Sequence, residues 1–207
     1  MALAGVLRDG ALAFAEAFGR VHITATPGNH SREMRKPWAK LSGVASYDTL
    51  IVAAVARELK DDPRITFEIA RGPDVVTEVF GRNILDTHGD RIGTKGGKGR
   101  IGAVLPIARG AQIIKEQQHS MGRQIYAIRA GHYHYACEPE PGVLFGGSVP
   151  GYSEYAGGEL RARLQPPSQK LALLTAKWGL RERCDVQLEE PRSAAKPRVR
   201  ISATTAA

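Results

Sequence analysis

Apolar residues recur along this chain with two periods, and the alternation of the two predicts its helices and strands. A spacing of three to four residues predicts helices at 3–18, 47–59 and 104–118. Short apolar runs bounded by Gly, Pro, Asn or Asp predict strands at 20–26, 65–69, 75–80, 84–87, 125–130, 143–145, 170–177 and 183–188. This order indicates an α/β fold, a layered sandwich in which helices flank a mixed β-sheet (αββα-like).

The first two predicted helices are amphipathic, which indicates that each covers a sheet with one face. The apolar positions of the first helix that share a helical spacing are Leu7, Ala11, Phe14 and Phe18. Ser46 stands where a side chain can cap the start of the second helix, and Asp61-Asp62-Pro63 ends it.

Length and composition describe an ordinary soluble chain. The 207 residues predict one domain over 1–190 and a disordered basic tail over 191–207. No run approaches ~18 consecutive apolar residues, so we expect no membrane contact. The first twenty residues lack the basic start of a signal peptide. Cys137 and Cys184 belong to no paired motif, which favours small core thiols in a reducing cytoplasm.

The net charge of +8 is unevenly spread. Half of it comes from four bases in the tail, which contains no acid: Arg192, Lys196, Arg198 and Arg200. The predicted domain is therefore only mildly basic. Such a surface gives modest support to phosphate-rich partners such as nucleic acid.

Three polar stretches each follow a strand-like apolar run. They begin at Asn29-His30, at His88 and at His132, with His134 two residues further on. Open α/β sheets keep their chemistry at the carboxyl ends of strands, so these residues predict a site there. An amide oxygen and several imidazoles are suitable ligands for Mn, Fe or Zn. Arg32 is either a phosphate clamp of this site or an ordinary loop arginine.

These stretches resemble the last three motif blocks of the calcineurin-like metallophosphoesterases. The matching residues are Gly28-Asn29-His30, His88-Gly89-Asp90 and Gly131-His132-Tyr133-His134. The resemblance covers about residues 20 to 180 and is closest to the phage and bacterial members. Two flanking features agree with it, a glycine-rich stretch after His88-Gly89-Asp90 and the segment Gly147-Ser148-Val149-Pro150-Gly151-Tyr152-Ser153-Glu154-Tyr155-Ala156.

The resemblance implies a role for each site residue. Asn29, His88 and His132 would hold one divalent metal, and His134 would belong to a second. His30 would face the scissile phosphate and stabilise the transition state or protonate the leaving group. Members of the family usually hold two metals roughly 3.5–4 Å apart, which activate a hydroxide for attack on phosphorus.

Two blocks of the family are missing from this sequence. Members begin with an Asp-x-His block and a Gly-Asp block, which supply the first metal's acidic ligand and the carboxylate that bridges both metals. The carboxylates before Asn29 are Asp9 and Glu16, and both fall in the predicted first helix. The fold is thus expected to be N-terminally truncated relative to the family. Its open sheet edge would invite a second chain or a homo-oligomer.

Smaller signals are ambiguous. The bases of the glycine-rich stretch either reach substrate phosphates or are simply solvated: Arg91, Lys95, Lys98 and Arg100. Trp38, Tyr133, Tyr135, Tyr152 and Tyr155 either stack on bases or, as we favour, pack with other side chains.

Two readings of function follow. The first is an enzyme, a metallophosphoesterase that hydrolyses phosphate mono- or diesters, with Mn as the favoured ion and nucleic acid as the favoured substrate. The second is a catalytically incomplete remnant, or one half of a split protein, that acts as a binding or assembly module.

Overall fold

A computed structural model describes residues 2–34, 40–92, 104–151 and 166–188. Helices and strands follow one another in these parts of the chain in the order α1 (Ala2–Phe18), β1 (Val21–Ala25), α2 (Tyr47–Glu58), β2 (Ile65–Ile69), β3 (Asp74–Val79), β4 (Arg82–Thr87), α3 (Val104–Ser120), β5 (Ile125–Ala130), β6 (Cys137–Glu140), β7 (Val143–Phe145), β8 (Ser168–Thr175) and β9 (Gly179–Gln187). The predicted mixed α/β fold is confirmed. The pattern did not predict β6, because Glu138-Pro139-Glu140 has none of the apolar alternation of a strand.

The strands form three sheets. β1 and β2 pair in parallel, and β8 and β9 form an antiparallel hairpin. The largest sheet is mixed, with the order β3-β4-β5-β7-β6. Within it β4 and β5 run in parallel, with Leu85 opposite Ile128 and Asp86 opposite Arg129. This register puts the ends of β4 and β5 side by side.

Two apolar cores stabilise the fold. The first joins α1 and α2 to the parallel pair and contains Ala11, Ala15, Val55, Leu59 and Ile65. The second joins α3 to the mixed sheet through Leu85, Ile107, Ala111, Ile128 and Phe145, among others. Phe145, Leu85, Ile92 and Ile128 are among the largest fully buried side chains, so they contribute strongly to the hydrophobic free energy of folding.

The buried face of α1 differs from the apolar set at helical spacing in the sequence. Ala11 and Ala15 face the core, with Ala4 and Leu12 packed beside them. Leu7, Phe14 and Phe18 are exposed instead. The small alanines are buried because they allow the helix to approach the sheet closely. The periodicity located the helix and misplaced its inward face.

The two layers meet through polar side chains. Thr24 of β1 donates a hydrogen bond of 2.7 Å to the Asp86 carboxylate of β4. Arg129 of β5 donates two bonds of 2.6 Å to the same carboxylate. Thr77 of β3 bonds Glu68 of β2 at 2.9 Å. Charge-assisted bidentate pairs are directional, so this contact fixes how the parallel pair sits on the mixed sheet.

Several smaller expectations are also settled. Ser46 is the N-cap residue of α2, but its hydroxyl bonds Ser31 rather than a helix N–H group. Both cysteines are free, and Cys184 is exposed, so its predicted place in the core is wrong. The described part of the chain contains no helix long and apolar enough to cross a membrane. The predicted tail at 191–207 lies outside the described residues.

Gly43 provides a test of this packing. A Cβ at Gly43 would overlap the carbonyl oxygen of Ala70, where β2 ends. We predict that Gly43→Ala lowers the free energy of unfolding by about 1–3 kcal/mol, because the backbone must shift to relieve the overlap. Gly72→Ala is the control, since a Cβ there meets nothing within 4 Å. Thermal unfolding measures both, and equal melting temperatures for the two variants would contradict the prediction.

Candidate metal centre

The loops that follow β1, β4 and β5 meet at one place. Asn29 Oδ1 lies 2.8 Å from His88 Nε2. The rings of His88 and His132 are in edge contact, with centroids 5.1 Å apart. His30 and His134 are near enough for their charges to act on His132, and both are exposed. Side chains that are far apart in the sequence are therefore gathered into one cluster.

The pairing of β4 with β5 positions the two central histidines. The N–H of Gly131 donates to the carbonyl of His88 at 2.9 Å, which continues the ladder one step past the strands. Gly89 has φ 105°, and a Cβ there would come within 3.0 Å of the Gly131 carbonyl oxygen. Glycine at this position is thus required by both the backbone angle and the space.

His132 and His134 have unusual backbone conformations. Their φ angles are 69° and 55°, in the left-handed region that residues other than glycine rarely adopt. Such a residue costs on the order of 1–3 kcal/mol, and strained residues of this kind concentrate at functional sites. Two of them within three residues turn this loop sharply after β5, and they favour a functional role for it.

Tyr133 anchors this strained loop. Its hydroxyl donates to the carbonyl of Ile92, and its ring packs edge-on against His132 and Phe145, with centroid distances of 5.2 and 5.3 Å. Because Phe145 is fully buried, the loop is tied to the second core. Tyr133 therefore packs with other side chains, as the sequence favoured.

Asp48 holds the loop that carries Asn29 and His30. One of its oxygens accepts the N–H of Gly28 at 2.9 Å and the hydroxyl of Ser31. The first turn of α2 adds a backbone bond from Tyr47 N–H to the Ser31 carbonyl, at 3.0 Å. Sequence reasoning missed Asp48, because nothing in its spacing links it to a loop twenty residues earlier. The only feature of the sequence that pointed to Asp48 was its position as an acid in the first turn of a helix.

Arg32 forms an ion pair with Asp90, and both side chains are mostly buried, 18% and 15% exposed. The guanidinium is therefore held beside the histidines rather than extended into solvent. Asp90 bonds Arg32, whereas Asn29 is the partner of His88 Nε2. The pair links the Asn29-His30 loop to the loop that follows β4.

The two central imidazoles are partly desolvated. Burial lowers the pKa of His88, and the nearby Asp90 carboxylate opposes this by raising it. Burial likewise lowers the pKa of His132, although the Asp90 carboxylate raises it. The charges of His134, His30 and Arg32 lower the pKa of His132 further. The neutral imidazole favoured by burial is the form that binds a metal ion.

The donor set fits one divalent ion. A separation of 2.8 Å between Asn29 Oδ1 and His88 Nε2 matches adjacent ligands of an ion with bonds of about 2.0–2.2 Å. With His132 they form an oxygen and nitrogen set of the kind that Mn, Fe or Zn accepts. Among the described residues no three His, Cys, Asp or Glu side chains lie close enough together to hold an ion. For a second ion the described residues offer His134, which by itself does not make a site.

Comparison with known proteins adds no family to this geometry. No protein-family model matches the chain, and no curated protein shows significant similarity to it. The resemblance to the calcineurin-like metallophosphoesterases therefore rests on the motif residues and stays a prediction. Several residues singled out in the sequence lie outside the described parts: Trp38, Lys95, Lys98, Arg100, Tyr152 and Tyr155.

Replacement of Asp48 tests how the loop is held. We predict that Asp48→Ala weakens Mn²⁺ binding by roughly 10–100-fold, the usual effect of removing a group that orients a ligand. Asn29 would lose its fixed position, because the Gly28 N–H and the Ser31 hydroxyl lose their acceptor. Calorimetric titration of the folded variants measures this. Asp61→Ala, at an exposed acid beyond α2, is the control, and an equal affinity in both variants would contradict the prediction.

Proposed function

We propose that this chain is a metal-dependent phosphoesterase that hydrolyses phosphate mono- or diesters. The observation that carries the proposal is the convergence of Asn29 Oδ1 on His88 Nε2 at 2.8 Å, with the His132 ring beside them. Three separate loops contribute these groups, and two strained histidine backbones belong to one of them. The resemblance of the motif residues adds support from the sequence.

Asn29, His88 and His132 hold the ion in this proposal, and Mn²⁺ is the favoured one. When bound there, a divalent ion would supply Lewis acidity toward a phosphoryl oxygen and would lower the pKa of water. The protein supplies neutral ligands in a fixed position, and the fixing comes from Asp48 and from the β4–β5 ladder.

His30 and Arg32 act on the substrate in this proposal. His30 is exposed beside the cluster, so its imidazole can donate a proton to the leaving oxygen. Arg32 is held by Asp90, which orients the guanidinium for bidentate contact with phosphoryl oxygens. His30 follows Asn29 directly and Arg32 lies two residues further on, so one loop would present both side chains to the phosphate.

Nucleic acid is the substrate class that we favour, and the cytoplasm is the compartment. The net charge of +8 supports a polyanionic substrate. Two free thiols support a reducing compartment.

A second candidate function is a metal-binding or assembly module without catalysis. The observation that favours it is the absence, among the described residues, of a carboxylate in the donor set. Asp48 and Asp90 are the nearby acids, and both are engaged by other partners, Asp48 by the loop and Asp90 by Arg32. Three neutral ligands bind a dication less tightly than a site with an acid.

Hydrolysis of bis(p-nitrophenyl) phosphate in the presence of Mn²⁺ separates the two candidates. We predict turnover by the intact chain and a loss of roughly a hundredfold or more in His132→Ala, since even groups that only orient a ligand matter by 10–100-fold. His119→Ala, in the last turn of α3, is the control and keeps full activity. Mn²⁺ binding without turnover would favour the module, and the absence of both would contradict both functions.

Replacement of His30 tests its separate role. We predict that His30→Ala lowers kcat by roughly 10²–10⁴-fold, the usual contribution of a general acid. Its Mn²⁺ affinity stays unchanged, because His30 is not one of the three proposed ligands. We expect His30→Ala to lose less kcat with a p-nitrophenyl ester, whose leaving group needs no proton, than with an alkyl phosphodiester. Equal losses with the two leaving groups would contradict proton donation.

A further inference from the structure

One flank of α1 exposes large apolar side chains to solvent. Leu3, Leu7, Phe14 and Phe18 are 54, 39, 56 and 74% exposed, and we call these four residues the α1 stripe. Phe14 and Phe18 stack, with ring centroids 6.0 Å apart. Isolated apolar residues are common on surfaces, but a contiguous set of this size marks an interaction site.

The α1 stripe lies on the side of the helix away from α2. Arg8 of α1 reaches Glu58 of α2 at 3.0 Å, which places α2 on the other flank. Ala11 and Ala15 face the core that α1 shares with α2 and the parallel pair, between these two flanks. With 100° between successive residues, the α1 stripe falls next to this inward face, on the side away from Arg8, and its centre lies about 110° from Arg8 around the helix axis. It therefore extends past the parallel pair on the side that α2 does not cover.

The two edges of β1 differ within the described part of the chain. β1 pairs with β2 along its other edge, from Val21 with Ile65 to Ala25 with Ile69. Among the described residues no strand pairs with the second edge of β1. Parallel sheets are rarely two-stranded or open, because their backbone groups and both faces need cover. The free N–H and C=O groups here can accept another strand.

A cavity of about 470 Å³ lies on the opposite face of β1 from α1. The side chain of Thr24 defines that face, since it bonds Asp86 of the mixed sheet. The walls of the cavity are β1, the mixed sheet and the β8 strand, through Thr24, Asp86, Arg129, Gln169 and Lys170 among others. Leu144, Leu171 and Ala172 also contribute, so the lining is part polar and part apolar. Arg129 and Lys170 are paired with Asp86 and Asp185, so its charges are largely neutralised.

We propose that the free edge of β1 binds an extended segment of another polypeptide, which pairs with it as an added strand. Successive side chains of a strand point to opposite faces. In the added strand one set therefore packs under the α1 stripe, and the other set enters the cavity. The first set is apolar, because the stripe carries no charge. The second set is uncharged and suits a lining that is part polar and part apolar, as Thr does, because the charges of the lining are already paired.

The shape of the site favours a single strand over a second folded copy of this chain. Strands in a sheet lie about 4.8 Å apart, so an added strand fits directly beside β1. The cavity has a volume of about 470 Å³, which accepts a few side chains rather than a domain. This inference does not depend on the proposed phosphoesterase activity, because none of its residues is a proposed ligand.

Hydrogen exchange on the intact chain tests the proposal. The probe is a synthetic peptide of about ten residues that alternates valine and threonine, with a lysine at each end for solubility. In the free protein we expect the β1 amides that point away from β2 to exchange faster than the amides of β5, because β5 is paired on both sides. The peptide at millimolar concentration slows exchange in β1. Phe14→Lys weakens the binding of the peptide by roughly tenfold or more, as the loss of a buried aromatic anchor does.

Met121→Lys is the matched control, since Met121 is 67% exposed and follows α3, away from the α1 stripe. It leaves peptide binding unchanged. Protection of all β1 amides in the free chain would overturn the proposal, because the edge would then be occupied by the chain itself. No protection by the peptide, or equal protection in Phe14→Lys, would also overturn it. So would a dimer in sedimentation that Phe14→Lys dissociates, since the partner would then be a second copy.

Discussion

The parallel pairing of β4 with β5 is the constraint on which the candidate site depends. Asp86 stands opposite Arg129 in this register, and one further bond, from Gly131 N–H to the His88 carbonyl, extends it past the strands. His88 and His132 therefore leave the sheet at the same level, with their rings in contact. A shift by one residue would turn every side chain of the shifted strand to the opposite face and separate the histidines.

The same register brings the first loop to the histidines through a polar contact between layers. The Asp86 carboxylate that faces Arg129 also accepts the Thr24 hydroxyl, and Thr24 lies five residues before Asn29. Asp48 then holds the loop from the other side, at Gly28. The loop that carries Asn29 is thus held by two carboxylates, Asp86 through Thr24 and Asp48 through Gly28. If Asn29 is a metal ligand, as proposed, these contacts orient it.

The incomplete features of the molecule lie together around β1. The donor set has no carboxylate among the described residues, the second edge of β1 pairs with no described strand, and the α1 stripe is uncovered. A polypeptide that added a strand at this edge would cover the stripe and end near Asn29, because β1 leads directly into that loop. The proposed docking surface and the proposed metal centre are therefore neighbours, and an added strand can influence both the stability of the layer and the site.

The sequence by itself determined the local features of this protein. Apolar periodicity located the helices and most strands, since burial of one face repeats at the period of each element. The placement of Asn29, His88 and His132 after strand-like runs predicted one cluster, because strand ends in α/β sheets converge. Tertiary structure alone decided which residues face inward and which distant groups meet. Ala11 and Ala15, rather than Phe14, form the buried face of α1. Asp48 accepts a hydrogen bond from Gly28, twenty residues earlier in the sequence. Those outcomes depend on close packing and on hydrogen bonds between segments, and neither leaves a periodic signal in one sequence.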